Sequence, residues 1–429
     1  GPHAPARRRL RSARCMSSAP GTAGEPDVLH RMSTLDRFLP LWIALAMGVG
    51  LALGSLIPGL NNALDELKVG TVSLPIALGL LLMMYPVLTK VRYEEMGKLR
   101  GDGRMFGVSL FLSWIVGPAL MFALAWIFLA DEPAYRTGVI VVGLARCIAM
   151  VLVWNDLAGG DNDRAAVLVV FNAIFQVVAY ALLGWFYLNA LPNLLGLDTQ
   201  GFEVGIWEVA RTVLIFLGIP LIAGYLTRRW GLRAHGREWF ESTVIPRLAP
   251  ITLYGLLFTI VLLFAIQGDA ITAAPLTVAR IALPLLAYFL IMWILGFTVG
   301  RAMRFGYPRT ATMAFTVASN DFELAIAVAV GVWGASSGQA LAGVVGPLIE
   351  VPVLVALVYV ALWLRRRWWG PSCSSSSMGA PSSNACWTST VTSTLHRPSD
   401  SKTRSCAPQA LRRARVRMQR WSQWPTPVR

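Results

Sequence analysis

Two short stretches put reactive side chains where an apolar chain has little ordinary use for them. In GLARCIAMVLVWNDLAGG, residues 143–160, Arg146 and Cys147 stand side by side in an apolar run that closes on Asn155 and Asp156. In TVASNDFELAIAVAVGVWG, residues 316–334, the run is interrupted by Ser319, Asn320, Asp321 and Glu323. A free cysteine is often no more than a small buried hydrophobe. Beside a guanidinium, however, its thiolate is favoured and its reactivity raised, and a thiolate is a soft ligand that prefers soft acceptors. Cys147 therefore stands open between simple packing and a soft-ligand role. Glu323 is the candidate proton carrier: a carboxyl whose surroundings change between two conformations loads a proton in one and releases it in the other.

The neighbouring polar residues have supporting roles to fill. Asp321 and Glu323 are two apart, so an unbroken helix would aim them to different sides; one is expected to pair with Arg146 while the other faces the pathway. A fixed ion pair between Arg146 and Glu323 is the structural alternative, because charges inside membranes commonly pair. Glu350 lies between Pro347 and Pro352 in GPLIEVPVLVAL, as a helix-junction partner or as part of a proton path. Asn172 and Gln176, one turn apart, are expected to join helices by hydrogen bonds rather than to line a cavity.

The elements that hold these residues follow from composition. Only 14% of the 429 residues are charged, against about 25% in soluble domains, so the chain is expected to be a membrane protein. Its formal charge of +15 is concentrated at the ends. Residues 1–31 carry +4 and residues 370–429 carry +8, leaving +3 for 32–369, and a nucleic-acid partner is not expected. Both ends are expected to be disordered. The first has no apolar run behind its arginines, as a secretory signal would need, and Met32 offers a start. The second is Ser/Thr/Arg-rich and aperiodic, unable to bury a core. Of five cysteines, only Cys147 lies in the apolar body, so neither a disulfide framework nor a paired-thiol metal site is expected. No cofactor or metal is called for.

A helix needs about 20 mainly apolar residues to cross the hydrocarbon core. Such runs lie near 38–57, 72–89, 105–129, 138–157, 165–190, 207–227, 248–267, 276–300, 310–333 and 339–364. With these ten spans and a cytoplasmic N-terminus, 18 Lys/Arg fall on the inner side and 4 on the outer. The excess of positive charge inside then puts both termini in the cytoplasm. Ten divides into two fives, and an odd-numbered repeat inserts with opposite topology. The fourth and ninth spans are the two polar-interrupted stretches above, and matching interruptions in two halves point to a transporter's central site. The expected fold is all-α: ten transmembrane helices in two inverted five-helix repeats, occupying 32–369.

Four stretches carry a resemblance: GLARCIAMVLVWNDLAGGD, FNAIFQVVAYALLGWFYLNALP, TVASNDFELAIAVAVGVWG and GPLIEVPVLVALVYVAL. They resemble the arsenite efflux permeases of the arsenical-resistance family, within the superfamily of bile-acid and related transporters, through all of 33–367. The resemblance implies outward movement of arsenite, with antimonite open, against inward protons, and transport residues at Cys147 and Glu323. It also implies interrupted fourth and ninth helices crossing in a core domain against a four-helix panel. Asp321 departs from the pattern, where asparagine is expected. Some relatives are fused to a reductase; Cys406 and Arg412 of this tail have the C-x5-R spacing of a phosphate loop, but the tail is expected to be disordered, and no enzymatic activity is expected. One alternative is a sodium-coupled carrier of organic anions with the same architecture, using Ser319, Asn320, Asp321 and Glu323 as oxygen ligands and having no use for Cys147. Another is a sensor without turnover, for which the tail offers no recognisable partner domain.

Overall fold

Apolar stretches of the sequence become helices in the computed structural model, which describes residues 39–57, 66–69, 72–94, 102–197, 205–273 and 275–369. The terminal segments 1–31 and 370–429 lie outside the described residues. The helices are α1 (Leu39–Leu56), α2 (Leu74–Lys90), α3 (Gly103–Phe128), α4 (Pro133–Leu144), α5 (Met150–Leu157) and α6 (Asn162–Leu194). After them come α7 (Ile206–Val213), α8 (Ile219–Trp239), α9 (Ile245–Ala273), α10 (Pro275–Ala302), α11 (Tyr307–Ala318), α12 (Phe322–Trp333) and α13 (Gly338–Trp368). A two-residue antiparallel ladder, Lys68–Val69 with Val72–Ser73, precedes α2.

Among the described residues, five helical runs are long and apolar enough to cross a bilayer: Gly103–Phe128, Asn162–Leu194, Ile206–Ile266, Leu276–Ala302 and Gly338–Trp368. The third of these turns at Gly236, whose φ of 82° lies in the left-handed region that glycine enters without a Cβ penalty. Each expected apolar stretch falls on helix, and two fall on broken helix, α4/α5 and α11/α12. Helix starts are fixed by local chemistry. Asp161, Asp321 and Ser337 accept hydrogen bonds from the amides of Arg164, Leu324 and Ala340, which satisfies donors that the first turn leaves free.

Packing forms two groups. Helices α1, α2, α8 and α9 lie against one another, and α3, α4, α10, α11, α12 and α13 form the other set with α5 and α6. The short α7 packs on α6 and α12. In the first group α1 comes very close to α9: a Cβ added at Gly54 would stand 2.3 Å from the carbonyl oxygen of Ala265. Small residues permit this approach where dispersion, not a hydrophobic drive, holds helices together.

At one end of this group an ion cluster joins α2 to α8. Arg228, only 2% exposed, donates to Glu94 at 2.6 Å and reaches Glu241 at 3.5 Å, while Arg237 donates to Glu94 at 2.9 Å. Burial by itself would raise the Glu94 carboxyl, but the hydrogen bonds and charge of the arginines outweigh it and hold it at about 2.

Candidate functional site

The breaks between α4 and α5 and between α11 and α12 meet. Ala145 and Ser319 leave their helices in extended conformation, with ψ of 126° and 139°, and Arg146 and Asn320 form an antiparallel β-bridge. The Cys147 amide donates to the Ser319 carbonyl, and the Asp321 amide to the Ala145 carbonyl, each at 3.3 Å. Two interrupted helices thereby satisfy each other's backbone groups where no water is available to do so.

The two amides at the middle of the bridge are held by side chains from different helices. Gln176 of α6 accepts from the Arg146 amide at 2.8 Å, and Glu350 of α13 accepts from the Asn320 amide at 3.4 Å. Each acceptor lies 30 residues beyond its amide. Glu350 thus sits at a helix junction. Asn172 also joins helices, accepting from the Trp114 indole at 3.2 Å and donating to the Cys147 carbonyl at 3.5 Å.

Arg146 makes no ion pair with a carboxylate among the described residues. The expected pairing with Asp321 or Glu323 is replaced by neutral acceptors. Its guanidinium, fully buried, donates to the Tyr288 hydroxyl at 2.5 Å and to the Gly143 carbonyl, and lies 5.8 Å from the Tyr288 ring centre. Asp321 is instead committed to capping α12, with one carboxylate oxygen on the Leu324 amide and the other without a partner.

Sequence reasoning missed Tyr288 and Gly117. A lone tyrosine in the apolar run of α10 was the available signal, because a buried phenol usually finds a polar partner. Gly117 gave none. A Cβ there would come 2.9 Å from an Arg146 nitrogen and 3.0 Å from the Tyr288 hydroxyl. Gly117→Ala is therefore expected to displace this pair and destabilise the protein by about 1–3 kcal/mol, the usual cost of overpacking. Thermal unfolding in detergent would register the loss, and an unchanged midpoint would show that the pair has room to move.

Cys147 is 4% exposed, and its sulfur accepts from the Val151 amide at 3.3 Å. Ile148, Ala149 and Met150, the next residues along the chain, form part of the wall of a cavity of about 560 Å³, which Cys147 itself does not line. Glu323 is half-buried and lines the same cavity, opposite Val87, Lys90 and Leu253 of the other helix group. A second space of about 450 Å³ shares Lys90, Val91 and Leu152 with it and reaches Arg92, Arg228 and Glu241. Around the crossing, the Ser319 hydroxyl, both polar atoms of the Asn320 side chain, the Gln176 amide nitrogen and one Asp321 oxygen are buried without protein partners. Such groups are uncommon in folded proteins, and their clustering suits a polar or ionic guest. Among the described residues no group of three or more His, Cys, Asp or Glu is arranged to hold a metal ion.

Farther along, the ends of α5, α6 and α11 are tied together. Thr312 donates to the Asn155 side chain at 2.7 Å, Asn155 donates to Asn162 at 2.5 Å, and Arg164 and Arg309 both reach Asp102. The Asn155-Asp156 close of the fourth apolar stretch thus belongs to a latch between helix ends.

Residues 77–274 match the model of the sodium bile acid symporter family. The chain is 52% identical to the arsenical-resistance protein Acr3 of Corynebacterium glutamicum over 349 residues, covering 81% of this chain and 94% of that protein. It is 31% identical to the arsenical-resistance protein Acr3 of Alkaliphilus metalliredigens over 363 residues, 81% of this chain and 98% of that one. An uncharacterised transporter of Synechocystis is 35% identical over 358 residues, 78% of this chain and 91% of that one.

Proposed function

The chain belongs to the Acr3 arsenical-resistance family, and from that premise we propose that it exports arsenite, and antimonite with it, across the cytoplasmic membrane in exchange for protons. The observation that carries this reading is the crossing itself. It holds Cys147, the single cysteine of the apolar body, immediately before Ile148, Ala149 and Met150, which line the same cavity as Glu323. Cys147 is the arsenic ligand: its thiol displaces one hydroxide of As(OH)3, releasing water and forming one As–S bond, and the reverse step frees the substrate. A single bond suits passage, since conduction requires binding weak enough to leave. Glu323 carries the proton. Arg146, Asn320, Asp321, Glu350 and Asn172 hold the crossing in shape.

The same reading includes the membrane architecture. Ten helices in two inverted five-helix repeats over 32–369 put both termini in the cytoplasm, following the distribution of Lys and Arg. The matched caps support it: Gln176 serves the fourth helix and Glu350 the ninth at the same separation of 30 residues. A core containing the crossing then works against the panel of α1, α2, α8 and α9. The cavity between them is the inner end of an alternating-access path. No enzymatic step and no cofactor are involved.

Everted membrane vesicles test the proposal. Arsenite is expected to accumulate when a respiratory substrate energises them and to leave when the proton gradient is collapsed, with no need for sodium. The second reading, a sodium-coupled carrier of organic anions, is favoured by the unpaired oxygens of Ser319, Asn320 and Asp321, which suit a hard cation. Sodium-dependent uptake of an organic anion, with arsenite not moved, would replace the first reading with this one.

A further inference from the structure

Away from the crossing, the outer surface of α8 carries an apolar face that ends in arginine. Ile219, Ile222, Leu226 and Trp230 follow one another at spacings of three and four residues and are 55–80% exposed. On a helix this spacing is one face, and in a bilayer such a face meets acyl chains. Trp230, Tyr225 and Tyr93 are of the types that gather at headgroup level.

At that level lies a pocket of about 260 Å³, lined by Tyr93, Glu94, Tyr225, Arg228, Arg229, Leu232 and Arg233. Its aromatic side is fixed. Tyr93 donates to the Leu88 carbonyl at 3.0 Å, and the two tyrosine rings meet edge to face at 5.4 Å. Arg229 donates to the Tyr225 hydroxyl at 3.1 Å and lies over that ring.

The charges in this pocket do not balance. Glu94 is engaged by Arg228 and Arg237, and Glu241 by Arg92, Arg228 and Arg237. Arg229 and Arg233, one turn apart at the rim, pair with no carboxylate among the described residues. A fixed aromatic and cationic pocket, built partly on the same helix as an exposed apolar stripe, is the chemistry that recognises a phosphate carrying acyl chains. A net-negative headgroup suits it better than a zwitterionic one, whose ammonium would meet the same arginines.

We propose that this pocket binds the headgroup of an anionic glycerophospholipid, phosphatidylglycerol being the simplest, with its phosphate between Arg229 and Arg233 and its chains along Ile219, Ile222, Leu226 and Trp230. The site lies on the α2–α8 side of the panel, so the bound lipid anchors that group of helices in its leaflet.

The test is lipid retention by the full-length protein purified in detergent, incubated with phosphatidylglycerol or phosphatidylcholine and read by native mass spectrometry. The wild type is expected to retain phosphatidylglycerol, and R229Q/R233Q to retain roughly tenfold less or lower still, given the attraction of each lost cation for anionic lipid. Arg211→Gln, at an exposed cation on α7, is expected to leave retention unchanged. Equal retention by the wild type and the double variant, or no preference for phosphatidylglycerol over phosphatidylcholine, would overturn the proposal. So would displacement of the lipid by millimolar inorganic phosphate, which would mark a site for soluble phosphate. If the double variant loses its helical circular dichroism, Arg233→Gln alone replaces it, with at least a threefold loss expected and an undiminished signal counting against the site. The readout is independent of arsenite movement and stands or falls separately from the transport reading.

Discussion

Arsenite uptake by energised everted vesicles is expected to fall roughly 100-fold when Cys147 is replaced by alanine, equivalent to about 2.7 kcal/mol in the transport step. The size of the effect follows from bonding. On the proposed mechanism the thiol supplies a covalent As–S contact, and the residues lining the cavity offer one soft atom of their own, the thioether of Met150. A thioether has no proton to lose and cannot displace hydroxide from arsenic. The fold should tolerate the change. Cys147 is buried as a small side chain, its sulfur accepts from the Val151 amide, and the bridge to Ser319 uses its backbone. The amount of protein in the membrane is therefore expected to stay close to that of the wild type, and Cys147→Ser should fail as alanine does. Undiminished, saturable arsenite uptake by Cys147→Ser would sink the thiol mechanism and leave the residue as packing.

Glu323→Gln separates coupling from passage. Glutamine keeps the size and hydrogen-bonding capacity of the side chain but carries no titratable proton, and Glu323 forms no ion pair with a cation among the described residues. Gradient-driven accumulation of arsenite is expected to disappear, because a carrier without its coupled ion can only equalise a neutral solute. Exchange of labelled for unlabelled arsenite, which requires the pathway and the thiol but no net proton movement, is expected to persist within about threefold, a change worth less than 1 kcal/mol. If accumulation survives and still responds to collapse of the proton gradient, the proton travels elsewhere. Glu350 would then be the next residue to examine, since it already lies at the crossing. If exchange is lost together with accumulation, Glu323 is part of the substrate path itself.

The symmetry of the two caps bears on how the crossing came to be stable. At the Arg146 amide the acceptor is a neutral glutamine, and at the Asn320 amide it is a carboxylate. The structural task at both places is the same, to satisfy one backbone donor released from a helix, and a neutral acceptor suffices for it. An unsatisfied buried amide costs about 1–3 kcal/mol, so each cap matters to stability whatever its charge. Gln176 and Asn172 are one turn apart in α6 and act on consecutive residues of the break, the Arg146 amide and the Cys147 carbonyl. Cys147 is thus positioned through its main chain by the neighbouring helix and by Ser319.

Hydropathy runs and their interruptions were legible along the chain because both are local. A stretch of about 20 apolar residues declares its helix wherever it packs. A run of polar groups such as Ser319 to Glu323 declares a break, because its cost in an apolar setting must be met in some way. The positions of the helices and the two interrupted segments could be argued on that footing, as could the hydrogen bonds that Asn172 and Gln176 make to another helix. Partner choice could not. The sequence offered Asp321 and Glu323 as counter-ions for Arg146; the fold turns the guanidinium to Tyr288 and Gly143, commits Asp321 to a helix cap and leaves Glu323 at the cavity. Nor could any periodicity reveal that Gly117 leaves the space in which Arg146 and Tyr288 meet, 142 residues apart. The sequence by itself determined which residues are too costly to lie in an apolar helix without a purpose. Only the tertiary structure decided what satisfies them, because hydrogen-bond partners are chosen within about 3 Å, and separations that small are set by how the helices cross.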